Sequence, residues 1–210
     1  ALQETGGDIE TAVDLMRKAG QAKADKKASR IAAEGLIVIR QTQGAIAIVE
    51  VNCETDFVTK NDDFRAFADA VAGVALESEP ADLDALLVMN MVNGQSIEQN
   101  RRDCIAKIGE NINVRRFARL ATTSGVLGSY LHGTRIGVLV ELEGGDAELA
   151  KDIAMHIAAS RPLCVSAEQV PAEFLAREKD IFAAQAATSG KPANIIDKMV
   201  EGRLRKYLEE

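Results

Sequence analysis

Apolar residues recur along this chain in two alternating periods, and the changes of period mark out its elements. From Asp8 to Ala19, Ile9, Val13 and Met16 repeat at helical spacing. Asp8 is placed to cap that helix, Glu10 sits in its first turn, and Gly20 is expected to end it. A single short helix cannot bury so narrow a stripe, so the pattern predicts a small helical module. Lys23–Glu34 is rich in Ala and basic residues and reads as a helix or helical linker, either a solvated connector or a basic contact for an acidic surface. The period then falls to two. Leu36–Ile39 and Ala45–Val49 flank Gln41-Thr42-Gln43-Gly44 and predict a β-hairpin, apolar at nearly every position and therefore covered on one face and partly on the other.

Helical spacing returns from Asn61 to Leu76, with Phe64, Phe67, Ala68, Val71 and Val74 as the stripe and Pro80 beyond its end. A short helix is expected around Leu83, Leu86 and Leu87, and a longer one from Ser96 to Ile108, stopped by Gly109. Asn111–Ala121 predicts a strand with Ile112, Val114 and Phe117 as its apolar positions. A second hairpin spans Gly125–Leu142 with its tip at His132-Gly133-Thr134. Asp146 then caps a helix whose core face is expected to be Leu149, Ile153 and Ile157. The two hairpins open and close alike, Gly35-Leu36-Ile37 beside Gly125-Val126-Leu127 and Ile48-Val49-Glu50-Val51 beside Leu139-Val140-Glu141-Leu142. Each precedes a helix, which predicts a repeated hairpin–helix unit. Toward the end, Pro171 opens a helix through Thr188, and Ser189-Gly190-Lys191-Pro192 turns the chain. A second helix follows with Ile195, Ile196, Met199, Val200, Leu204, Tyr207 and Leu208 on one stripe, so the pair predicts a projecting helical hairpin whose apolar stripe finds a partner. The pattern is still helical where the chain stops, which reads as a fragment.

Composition narrows the functional classes. The 210 residues carry a formal net charge of −7, which argues against a duplex-DNA or polyanion binder. Aromatic content of 4% without tryptophan disfavours a base-stacking platform, so no direct nucleic-acid partner is expected. No apolar run is long enough for a membrane span. Cys53, Cys104 and Cys164 with His132 and His156 show no metal-ligand spacing, and three isolated cysteines suit reduced thiols in the cytoplasm. No phosphate-cradling loop, dinucleotide fingerprint, zinc-helix motif or nucleophile elbow occurs, so a binding protein without cofactor is expected rather than an enzyme. His156 reads as a histidine at the edge of the core.

Three segments do not reduce to element patterning. In Asn52-Cys53-Glu54-Thr55-Asp56-Phe57-Val58, Phe57 either plugs its own core while Thr55 or Asp56 caps a short helix, or protrudes as a wedge into another protein. Lys107-Ile108-Gly109-Glu110-Asn111 reads as a helix C-cap, and Tyr130-Leu131-His132-Gly133 as a turn with an exposed histidine.

Together these segments, with Gly7-Asp8-Ile9-Glu10, Ile153-Ala154-Met155-His156-Ile157-Ala158-Ala159-Ser160 and Met199-Val200-Glu201-Gly202-Arg203, resemble bacterial-type translation elongation factor Ts, in order and over essentially the whole chain. The resemblance implies an α+β fold: two repeated subdomains of small antiparallel sheet plus helices, a projecting helical-hairpin (coiled-coil) arm, and a remnant of an N-terminal module like ubiquitin-associated domains. It places the end of that module and a linker at residues 1–22, a core N-subdomain at 23–122, an incomplete C-subdomain at 123–170 and the arm at 171–210. It implies a guanine-nucleotide exchange factor for elongation factor Tu. Thr55, Asp56, Phe57 and Val58 are expected to dislodge the partner's magnesium, and Ile108, Gly109 and His132 to make further contacts. The alternative is a docking or structural subunit that binds elongation factor Tu without driving exchange. Self-association through the arm is a further expectation.

Overall fold

In the computed structural model, which describes residues 1–187 and 193–209, the chain divides into two compact units, Ala1–Ser160 and Arg161–Glu210. The first unit begins with α1, Ile9–Lys27. The Asp8 side chain caps it, accepting from the Thr11 N–H at 2.7 Å. The helix expected to end at Gly20 runs on to Lys27. Gly20 lies against Ala106, with room for a Cβ in ordinary contact at 3.4 Å, and the helix continues into the segment read as a helix or helical linker from Lys23, ending at Lys27 rather than reaching Glu34. Ala12 and Ala24 are its buried positions, whereas Ile9, Val13 and Met16 are exposed.

Strands β1 (Glu34–Gln41), β2 (Ala45–Cys53) and β3 (Ile112–Ala121) form an antiparallel sheet in that order. Between β2 and β3 the chain builds α2 (Asp62–Ser78), α3 (Leu83–Val88) and α4 (Ile97–Ile108). Asn61, Asp82 and Ser96 cap them by accepting backbone N–H bonds, and Gly109 ends α4 at a φ of 91°, where the sequence places the stop. Phe64, Phe67, Ala68 and Val71 of α2 are buried with Val49, Val51 and Cys53 of β2 and Ile105 of α4. The odd spacing of Ile112, Val114 and Phe117 has a physical cause. Glu50 pairs with Arg116 and Val51 with Val114, so Arg115 is an extra residue, and this bulge returns Phe117 to the core-facing side.

Strands β4 (Val126–His132) and β5 (Ile136–Leu142) form a separate antiparallel pair, followed by α5, Ala147–Ser160. Both hairpins are thus followed by a helix that packs on them, as the repeat predicts. The second hairpin also explains why the first is apolar on both faces: a Cβ at Gly137 of β5 would lie 2.6 Å from Ile48 and 2.8 Å from Ile37. The core face of α5 differs from expectation. Ala150, Ala154 and Ala158 are buried, Ile153 and Ile157 are half-buried, and Leu149 is exposed. Gly128 lets β4 approach so closely that a Cβ there would be 2.7 Å from the Ala150 carbonyl carbon, and only small residues fit that seam. His156 is exposed, because it falls on the opposite side of α5 from the alanine row.

In the second unit, α6 (Ala172–Ala187) and α7 (Ala193–Glu209) pack side by side, burying Ala186 and Val200. The turn expected at Ser189-Gly190-Lys191-Pro192 and the end of the helix at Thr188 lie outside the described residues. Among the described residues, no helix is long and apolar enough to cross a membrane, and no group of three or more His, Cys, Asp or Glu side chains could hold a metal ion.

Candidate functional site

The site is built where β2 and α4 end side by side. After Cys53 the chain leaves the sheet, turns through Asp56 and Phe57, and enters a short 3-10 turn at Val58–Lys60 before α2. That turn divides two adjacent apolar residues. Val58 is buried in the core of the unit, whereas Phe57 stands 79% exposed. The core-plug reading of Phe57 is therefore wrong, and Val58 is the plug. Neither Thr55 nor Asp56 caps the 3-10 turn by its side chain. Asp56 is exposed beside Phe57, and its carbonyl accepts from the Thr59 hydroxyl at 2.6 Å.

The turn is held from beneath by α4's end. Glu110 Oε2 accepts from the N–H groups of Glu54 (3.1 Å) and Thr55 (2.9 Å), and Glu110 Oε1 accepts from the Thr55 hydroxyl (2.7 Å). In return Glu54 Oε1 accepts from the Asn111 N–H at 2.6 Å, with Arg30 at 3.5 Å from Glu54 Oε2. Asn111, buried, donates its side-chain amide to the carbonyls of Arg30 (2.7 Å) and Ala28 (3.4 Å), and Lys27 Nζ donates to the Gly109 carbonyl. Gly109 and half-buried Ile108 are thus fixed next to the Asp56–Phe57 turn, so the structure brings together two of the three segments singled out in the sequence. The Cys53 thiol donates to the Thr55 carbonyl at 3.1 Å. Burial pushes it up to about 12, with the carboxylates of Glu110 and Glu34 adding to the effect, so it is an inert structural thiol.

The third segment lies at the same end of β1. His132 is exposed at the end of β4, its Nδ1 3.1 Å from Tyr130 Oη. The turn that follows is tied to β1, where the Ile37 N–H donates to the Thr134 carbonyl at 2.8 Å and Arg135 pairs with Glu34 at 2.5 Å. Glu34 is the strand partner of Cys53, the residue from which the Asp56–Phe57 turn departs. Arg115 and Arg116 are both engaged by Glu50, at 3.8 and 2.6 Å. Periodicity did not reveal the roles of Glu54, Glu110 and Arg30. The only trace in the sequence is a carboxylate directly after a strand end and another directly after a helix-capping glycine.

A family model described as Elongation factor TS matches residues 54–210. Elongation factor Ts of Methylococcus capsulatus is 65% identical over 212 residues, covering 100% of this chain and 72% of that protein. Elongation factor Ts of Thioalkalivibrio sulfidiphilus is 63% identical over 213 residues with the same coverage. The Legionella pneumophila subsp. pneumophila protein of that name is 53% identical over 211 residues, again covering 100% of the chain and 72% of the relative.

Proposed function

The chain belongs to the elongation factor Ts family, and we propose that it drives GDP out of elongation factor Tu by setting Asp56 and Phe57 beside the partner's magnesium and phosphate site. Family membership itself implies binding to elongation factor Tu and a role in nucleotide exchange during translation elongation, without enzymatic catalysis. The finer reading rests on one observation: Phe57 is a large apolar side chain left 79% exposed on a turn that is otherwise tied down. Exposed aromatics on rigid supports are the usual carriers of interface energy.

In this reading Phe57 wedges between two helices of the partner's nucleotide domain, and Asp56 rearranges the polar contacts there. Thr55 and Val58 hold the turn, from its clasped and its buried side respectively. Displacing the groups that support the partner's magnesium deprives the GDP phosphates of their main counter-charge. Ile108 and Gly109 widen the contact with the same domain, and His132 forms a second contact that disturbs the phosphate-binding loop. A 10⁴-fold acceleration of release requires about 5.5 kcal/mol of barrier lowering. Burying the exposed part of a phenylalanine, roughly 160 Å², supplies up to about 4 kcal/mol, and the remaining contacts make up the difference. Because the coupling is reciprocal, GDP must expel the factor as strongly as the factor expels GDP. In the same reading residues 23–122 and 123–170 are the core subdomains and 171–210 the arm, which offers a surface for self-association. Residues 1–22 belong to an N-terminal module whose helix α1 crosses the first limit unbroken. The site of action is the cytoplasm, where elongation takes place.

The test is release of labelled GDP from elongation factor Tu with and without this chain, followed by addition of excess GDP to the preformed complex. Accelerated release and GDP-driven dissociation support exchange. A stable complex that leaves release unchanged refutes it in favour of a docking subunit.

A further inference from the structure

We propose that Glu54 and Glu110 are positioning residues whose crossed carboxylates lock the Asp56–Phe57 turn to the Ile108–Gly109 turn, so that the two partner-facing segments act as one rigid body. The inference rests on the wedge reading and deepens it. Its basis is the reciprocity of the bonds. Glu110 holds the two backbone N–H groups and the hydroxyl at the root of the wedge turn, while Glu54, within that turn, holds the backbone N–H of Asn111 beyond the α4 cap. Strand β2 ends at Cys53, so the N–H groups of Glu54 and Thr55 lie past its last paired residue and take their bonds from Glu110 instead. Bonds from backbone donors to a carboxylate are the stronger kind, and these are partly shielded from water. On the other flank the Thr59 hydroxyl holds the Asp56 carbonyl, and Arg65 holds the Thr59 carbonyl at 2.8 Å. Phe57 is therefore an exposed side chain on a backbone anchored from both sides.

Rigidity matters for a wedge. A turn free to pivot yields when it meets the partner's helices, whereas a clasped one transmits the force of docking to them. The complex still forms through the remaining contacts, and a loose turn orders only as the wedge enters the partner's helices, so the cost of ordering it falls on the step that opens the nucleotide site. Loss of the clasp therefore falls chiefly on the maximal rate of GDP release and less on the concentration of factor needed for half of it.

The experiment compares Glu110→Ala, Glu110→Gln and Glu54→Ala in a Cys164→Ser background, which removes the half-exposed thiol of the second unit. Glutamine loses the charge but keeps an oxygen to accept the two backbone N–H bonds, so it separates the clasp from simple electrostatics. Two readouts are followed: GDP release from elongation factor Tu as a function of factor concentration, and the rate at which a soluble maleimide labels Cys53, which lies under the clasped turn. Glu110→Ala is expected to lower the maximal release rate about ten-fold, equivalent to about 1.4 kcal/mol. Labelling of Cys53 should rise by a similar factor, and Glu110→Gln should restore the release rate while its labelling falls between parent and alanine variant, because losing the Glu110 charge by itself eases ionisation of the thiol. If Glu110→Ala does not fold, Glu54→Ala, which cuts only the Asn111 half of the clasp, is expected to shift both readouts in the same direction. Unchanged Cys53 labelling in a folded alanine variant overturns the clasp. Unchanged release in Glu110→Ala, under conditions where Phe57→Ala slows release, overturns the positioning role and leaves the wedge intact. If Phe57→Ala itself leaves release unchanged, the wedge reading fails and the proposal fails with it.

Discussion

Replacing Phe57 and Val58 by alanine, one at a time, separates stability from function at adjacent positions. Phe57 is 79% exposed, so only about 40 Å² of a side chain of roughly 200 Å² is covered in the free chain, worth at most about 1 kcal/mol. Val58 is 8% exposed and loses two methyl groups from a packed position, at about 0.8 kcal/mol each plus a cavity term, for a total of about 2 kcal/mol. For a unit of this size 1 kcal/mol shifts the melting temperature by roughly 2–4 °C. Thermal unfolding followed by circular dichroism should therefore show Val58→Ala melting roughly 4–8 °C below the parent and Phe57→Ala much closer to it. GDP release should rank them in reverse, with Phe57→Ala losing up to about 100-fold of the stimulation, as expected for about 3 kcal/mol of lost interface burial. If Phe57→Ala destabilises the free chain as much as Val58→Ala does, the aromatic ring is a core residue and the reasoning is refuted.

Two further outcomes follow from packing and charge. Gly128→Ala places a Cβ 2.7 Å from the Ala150 carbonyl carbon, forcing α5 off β4, and should lower stability by about 1–3 kcal/mol in urea titration, whereas Gly73→Ala, with nothing within 4 Å of the added Cβ and no positive φ, should not destabilise the chain. The Glu98 carboxyl is held below its ordinary value of 4.5 by the Arg101 bond, against the opposing effect of burial and with Arg102 assisting. A depressed folded value contributes stability that is complete above the ordinary value and is lost as pH falls through the folded one, so Glu98→Gln should flatten the acid limb of the urea midpoint below about pH 4.5.

Much of the fold was legible because the signals were local. Asp8 and Asp146 accept N–H bonds at helix starts, and Gly109 ends α4, as their positions predict. What the sequence hid depended on the neighbour. Gly20 resembles a helix stop until Ala106 is seen against it, and the alanine row of α5 resembles a solvated face until Gly128 brings β4 onto it. At the site, the strand end and the helix cap were both readable, but which of Phe57 and Val58 points inward was not, since a turn between them decides it. The clasp was invisible for a related reason: Glu54 and Glu110 lie 56 residues apart, and no period links them.

The most direct test of the central claim is the rate of labelled GDP release from elongation factor Tu at saturating concentrations of this chain and of its Asp56→Ala, Phe57→Ala double variant. The account predicts fast release with the parent chain and a stimulation smaller by about 100-fold or more with the variant, which should still form the complex through its remaining contacts. Equal stimulation by the two would contradict it, and would move the lever from the exposed turn to the Ile108–Gly109 and His132 contacts.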